Sequence, residues 1–283
     1  MEISLKKITN MVEKLFFQSS LPRAGSTMFQ NLLHQNPSIY GSATSGLLEL
    51  WFAARSNYTT SPEFKAQDRE LMKKAFLAFC REGMFGYYNA ITDRKYVVDK
   101  SRGHGIHYDF INSFYPEPKI ICMVRDLRDI FASMEKNYRS NPDKHKDILD
   151  WTKMQGTSVP KRIDIWSQNP PVGMAIERLS EIFRMGTDAK MLFIRFEDLC
   201  LYPETTMRKV YDYLNLPYFE HDFDNIEQIT KEDDEVYGVF GDHKIRKKLE
   251  PVSSRSKQLL GKDVNEWIWN NYLWFFEKFR YNK

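Results

Sequence analysis

Residues 15–34 constrain the architecture more than any other stretch. An apolar run, Leu15-Phe16-Phe17-Gln18-Ser19-Ser20, leads into Leu21-Pro22-Arg23-Ala24-Gly25, and an amphipathic pattern then opens with Ser26-Thr27-Met28-Phe29. Strand, tight turn and helix N-terminus in that order gather several backbone N–H groups around one small anion. In the triphosphate-binding loop G-x-x-x-x-G-K-[ST] a lysine stands just before the hydroxyl residue. Here that place is Gly25, and the positive charge comes earlier, at Arg23. Such a loop holds an anion but lacks the point charge that reaches the outer phosphates of a triphosphate. The alternative is an ordinary strand-to-helix connection, with Pro22 and Gly25 making the turn and Ser26 capping the helix.

Further apolar runs at Tyr96–Val98, Lys119–Val124 and Met191–Arg195 are short and bounded by polar residues, as buried strands are. Between them, helical patterns cover about 26–34, 62–88, 105–114, 126–138, 171–186 and 203–214. Strands separated by helices imply right-handed crossovers, hence an α/β fold with a mainly parallel sheet between helical layers. No linker divides the chain, so the expectation is one domain over residues 1–283. The polar stretch Asn141 to Pro171 has the character of an insertion or flap.

Composition excludes several classes. A net charge of +3 over 283 residues is far from the basic bias of a nucleic-acid binder. No run of about eighteen apolar residues exists to span a membrane. Cys80, Cys122 and Cys200 have no metal-ligand spacing and imply no disulfide framework. The N-terminus has no signal-peptide pattern, and the expected location is cytoplasmic. The aromatic tract from Trp267 to Phe276 is interrupted by two asparagines and suits a terminal helix docked on the core.

Ligands of an open parallel sheet bind beyond the carboxyl ends of its strands. The residues there are cationic: Arg23, then Asp99-Lys100-Ser101-Arg102, then Arg125-Asp126-Leu127-Arg128-Asp129. Asp126 and Asp129 suit helix-start positions, whereas Arg125 opposes the helix dipole unless an anion lies there.

Pro22-Arg23-Ala24-Gly25-Ser26-Thr27, followed by Val124-Arg125-Asp126-Leu127-Arg128-Asp129 and Ser133, resembles the sulfotransferases that use 3′-phosphoadenosine 5′-phosphosulfate (PAPS). Phe196-Glu197-Asp198-Leu199, Pro203-Glu204 and Tyr213-Leu214-Asn215-Leu216-Pro217 are similar to a further family segment. The likeness covers about 15–220 and is nearest the tyrosylprotein and bacterial branches. It implies the P-loop-containing three-layer α/β/α sulfotransferase fold and sulfuryl transfer from PAPS to a hydroxyl or amine, leaving adenosine 3′,5′-bisphosphate, with no metal expected. It further implies that Arg23, Ala24, Gly25, Ser26 and Thr27 hold the 5′-phosphosulfate, and that Arg125 and Ser133, helped by Arg139, hold the 3′-phosphate. Lys100 lies 25 residues before Arg125, the spacing of a catalytic lysine in the tyrosylprotein branch. A cation beside the bridging oxygen stabilises the charge that gathers there as the sulfur–oxygen bond breaks. Arg23 then offsets charge near the reacting sulfur.

The general base does not carry over. The tyrosylprotein branch has a Glu 21 residues after the loop Arg, where this chain has Thr44; the cytosolic branch has a His two residues after the Lys, where this chain has Arg102. Glu49, His104, His107 and Asp99 are the remaining carboxylates and imidazoles nearby, with Glu49 and His104 leading. Phe196 replaces a Tyr common in the family. His243-Lys244-Ile245-Arg246-Lys247-Lys248 is either a loop over the nucleotide or a solvated charge run. Trp51, Phe52, Tyr58, Trp151 and Trp166 are candidates to border the acceptor, be it a hydroxylated small molecule, a glycan or a tyrosine side chain. Two other classes stay open: a P-loop nucleotide or sugar kinase, and a non-catalytic nucleotide-binding module.

Overall fold

The computed structural model describes residues 11–140, 156–237, 242–251 and 253–283. Five parallel strands form one sheet: β1 (Lys14–Ser20), β2 (Ile39–Thr44), β3 (Tyr96–Lys100), β4 (Ile120–Val124) and β5 (Met191–Arg195), in the order β2-β3-β1-β4-β5. Helix α1 (Ser26–His34) follows β1, and α2 (Leu47–Thr60) follows β2. The expected helix at 62–88 is split into α3 (Pro62–Lys65) and α4 (Arg69–Asn89), because Asp68 starts a new helix by accepting from the Leu71 amide at 2.7 Å. α5 (Tyr108–Asn112) follows β3, and α6 (Leu127–Ser140) follows β4. α7 (Val159–Gln168), inside the stretch expected as an insertion, and α8 (Val172–Arg184) precede β5.

The alternation of a strand separates two cores. Phe16 and Val98 enter one, with Phe29, Phe131, Leu179, Val210 and the terminal helices; Leu15, Phe17 and Val97 enter the other, with Trp51, Met84, Tyr88 and Ile111. Helices thus cover both faces of the sheet, as the α/β expectation required. α9 (Phe196–Leu201) and α10 (Pro203–Leu214) follow β5, and α11 (Ser256–Leu260), α12 (Lys262–Asn271) and α13 (Leu273–Lys278) close the chain. The aromatic tract docks as its pattern suggests: Ile268, Phe275 and Phe276 are fully buried.

Between α10 and α11 the described residues form an irregular strap. Its two arms are clasped by bonds from the Ile226 amide to Lys247 O (2.6 Å), from the Leu249 amide to Phe223 O (2.9 Å) and from Gln228 Nε2 to His243 O (3.0 Å). A side chain of α1 fastens the strap to the sheet layer. Asn31, buried, accepts from the amides of Ile229 (2.6 Å) and Thr230 (3.1 Å), and donates to Thr230 Oγ1 (2.8 Å).

Candidate active site

β3, β1 and β4 are neighbours in the sheet, so their carboxyl ends bring Lys100, the 21–27 loop and Arg125 together. They border a cavity of about 790 Å³, roofed by Asp234 and His243–Ile245 of the strap. The loop conformation answers to its residues. Arg23 has φ 61° and Gly25 has φ 78°, both left-handed, and Gly25 is the N-cap of α1 with no side chain satisfying the first-turn amides. A Cβ on Gly25 would also strike the Phe196 ring, so glycine is needed there for φ and for space. α1 has no acidic residue in its first turn, which leaves its dipole facing the cavity uncompensated.

Lys100 is 8% exposed. Its backbone is held from both sides: its amide donates to Ser42 Oγ (2.9 Å), and its carbonyl accepts from the Ser45 amide (2.9 Å). Nζ donates to Thr27 Oγ1 at 3.1 Å and to Glu232 Oε1 at 2.7 Å. Burial pushes the Lys100 ammonium below the ordinary lysine value, while the Glu232 charge works against that shift. Arg23 donates from Nε to Ser133 Oγ (2.9 Å) and pairs through Nη2 with the Asp242 carboxylate (2.6 Å). Arg125 reaches back to the Arg23 carbonyl (3.0 Å) and lies over the Phe196 ring, 5.3 Å from its centre. Ring and guanidinium make a platform beside the loop.

Gly25, Ser26, Thr27, Arg23, Lys100, Arg125 and Ser133 all line the cavity. Six other candidates lie elsewhere. Ala24 is fully buried, and its amide donates to Leu21 O at 3.4 Å. Arg139 turns aside to pair with Glu135 (2.6 Å). From Ser133 to position 139 a helix rotates by about 240°, so the face that carries Ser133 presents Lys136 to the cavity instead. His104 is sealed at 0% exposure between Phe17 and Trp51, with Nε2 2.7 Å from Asp99 Oδ2. Asp99 is equally buried and accepts from the Tyr88 hydroxyl, so these two candidate bases serve the core beneath the sheet. Glu49 is exposed on the first turn of α2, outside the cavity lining. His107 packs edge-on against Phe52, and burial together with Arg178 depresses it to about 4.

Asp126 accepts from the Arg128 amide (2.8 Å), the helix-start role its position suggested. Trp51 and Trp166 are core residues, each 3% exposed, and Tyr58 stacks on Phe76. Trp151 lies outside the described residues. Of the basic run, His243, Lys244, Arg246 and Lys248 line the cavity, so it faces the site.

Sequence reasoning missed Glu232. Its side chain is 3% exposed, accepts from Lys100 and from Thr44 Oγ1 (2.7 Å), and lies 3.2 Å from His243 Nε2. His243 Nδ1 is in turn 2.6 Å from Asp234. Burial opposes the Glu232 charge, but Lys100, Thr44 and His243 outweigh it and hold the carboxyl below the usual range. The one available signal was the acidic run Glu232-Asp233-Asp234-Glu235 just before the basic run, a pattern shared with any solvated loop.

The model of the Sulfotransferase family matches residues 16–220. The chain belongs to that family. The sulfotransferase domain of the curacin biosynthetic pathway superposes with a TM-score of 0.51 at 16% identity, covering 93% of this chain and 98% of that one. Sulfotransferase STF9 of Mycobacterium avium gives 0.50 at 14% identity, covering 94% and 77%. Both show the same fold. None of the curated proteins matches the chain. This sulfotransferase builds its cavity from both sides of that match: Arg23, Lys100 and Arg125 lie within residues 16–220, and Asp242 and His243 beyond them. Among the described residues no cluster of His, Cys, Asp or Glu suits a metal ion, and no helix is long and apolar enough to cross a membrane.

Proposed function

We propose that this sulfotransferase takes its sulfuryl group from PAPS and passes it to a hydroxyl-bearing acceptor, with the chain from β1 to α13 acting as one catalytic unit. The observation that carries the reading is the convergence of a lysine-free anion loop, Lys100 and the Arg125–Ser133 pair on one cavity. The free amides at the start of α1, with the Ser26 and Thr27 hydroxyls, suit the 5′-phosphosulfate. Arg125 and Ser133 suit the 3′-phosphate, and the face of Phe196 beside Arg125 suits the adenine ring. Lys100, tied to the loop through Thr27, is placed to meet the charge that builds on the bridging oxygen.

In the reaction the acceptor oxygen bonds to sulfur in line with the departing phosphate. The bridging sulfur–oxygen bond breaks, and its electron pair leaves with adenosine 3′,5′-bisphosphate. A kinase needs a lysine where Gly25 stands, so the kinase reading predicts binding of ATP with magnesium. Titration calorimetry separates the two. The bisphosphate should bind at least tenfold more tightly than ATP, and the reverse order would sink the proposal. Transfer of radiolabelled sulfate from PAPS to p-nitrophenol then separates an enzyme from a binding module.

A further inference from the structure

Two cations that meet the anion loop are answered within the protein, Arg23 by Asp242 and Lys100 by Glu232. Two arginines near Lys100 are not. Arg102 lines the cavity, and Arg178 comes to the same loop from α8. Among the described residues neither guanidinium has an ion pair or a hydrogen bond. Gly103 joins them: a Cβ there would strike Leu48, and Arg178 Nη1 lies 3.9 Å from that point. The Arg102 side chain is reachable from the cavity yet surrounded by protein. Burial lowers its pKa against Tyr237 and Glu232, and the charges of Arg178 and Arg23 add to the fall. The loop is fixed, since Ser19 Oγ donates to Arg102 O (3.1 Å) and the His107 amide to Gly103 O (3.3 Å). Like charges held together without a carboxylate cost free energy that a bound anion recovers.

Resting on the PAPS-dependent reading, we infer that the acceptor is itself an anion: a hydroxy acid whose carboxylate sits on Arg102 and Arg178 while its hydroxyl faces Lys100. The donor does not account for this pair. β3 and β4 flank β1 on opposite sides, so Arg102 lies across the anion loop from Arg125 and Ser133, where the 3′-phosphate is read. Planar guanidiniums donate in a fork that matches a carboxylate, and two of them fix its position as well as its charge. Beside Arg178, His107 packs edge-on against Phe52, 4.6 Å between ring centres, and its depressed pKa leaves it uncharged at neutral pH. That flat, neutral wall suits the apolar body of an acceptor carrying a hydroxyl at one end and an acid at the other.

The test compares 4-hydroxyphenylacetate with its amide, two phenols of similar size and acidity that differ by one charge. In calorimetry on the protein saturated with adenosine 3′,5′-bisphosphate, the acid should bind about tenfold or more tightly than the amide, the scale of one hydrogen bond between charged groups. Sulfate transfer should show the same gap in KM, with kcat within a few-fold. Arg102→Gln and Arg178→Gln should each cut the preference to about threefold or less. Bisphosphate affinity should stay within a few-fold of wild type, which shows that the variants are folded. Equal binding of acid and amide, binding of neither, or a preference that survives both substitutions would overturn the inference. A large loss of bisphosphate affinity in Arg102→Gln would give Arg102 to the donor and do the same. If the bisphosphate does not bind the wild-type chain, the PAPS-dependent reading fails by itself, and the acid–amide comparison on the free protein still decides the role of the two arginines.

Discussion

The sheet edge and the strap meet at one cavity but are held in opposite ways. Lys100 belongs to a regular strand with both backbone groups bonded to neighbouring residues, and the 21–27 loop is fixed between β1 and α1. Glu232 and Asp242 belong to an irregular segment fastened by side-chain clasps such as Asn31 and Gln228. The sheet edge supplies cations and the strap supplies the carboxylates that meet them: Glu232 on Lys100, Asp242 on Arg23. The strand-end cations are thus built into the sheet, whereas the strap brings both these carboxylates and the basic run that faces the same cavity.

The sharpest way to break this contrast is Lys100→Ala. If the cation acts mainly on the leaving oxygen, kcat for sulfate transfer should fall about 10²–10³-fold, roughly 3–4 kcal/mol of barrier. Bisphosphate affinity should shift only a few-fold, since the loop and Arg125 remain. Steady-state kinetics beside calorimetry decides it, and an unchanged kcat would remove Lys100 from the chemistry.

A smaller effect is expected when the strap loses its anchor. Asn31→Ala strands the amides of Ile229 and Thr230, which should cost about 1–3 kcal/mol of stability, read from urea unfolding. If the strap helps to shape the cavity, the same variant should also lower kcat for sulfate transfer. An unchanged kcat would mean that the anchor serves the fold alone.

The mildest change is Asp242→Asn, which removes the carboxylate from Arg23. The pair is partly exposed, its side chains 21% and 38% accessible, so its worth is below about 1 kcal/mol. Bisphosphate should then bind two- to fivefold more tightly, because Arg23 no longer exchanges one anion for another. Weaker binding in calorimetry would mean that Asp242 shapes the site rather than competing for it.

Much of this was legible in the residues. Four strands announced themselves as apolar runs, and the rule that ligands gather at strand ends singled out Arg23, Lys100 and Arg125. β2 escaped because its start, Ile39-Tyr40, gives way at once to the small residues Gly41-Ser42-Ala43-Thr44, which leaves no apolar run. Its burial comes from packing against β3 and α1, which no local pattern records. His104 misled for the reverse reason: an imidazole close to Lys100 in sequence turns to the opposite face of the sheet and is consumed by Asp99. Arg139 misled because a helix rotates, and six residues do not return to the same face. Glu232 was invisible because the contact joins positions 132 residues apart, and its neighbours read as solvated charge.

The strand order has a consequence for how this site tolerates change. β3, β1 and β4 stand side by side, and hydrogen-bonded strands keep a spacing of about 4.8 Å. The sheet is therefore a ruler whose graduations are peptide groups, and Lys100, the anion loop and Arg125 sit on three successive marks. A substitution in either core can soften the protein and lower its melting temperature. It does not re-rule the scale on which the donor's phosphates are measured.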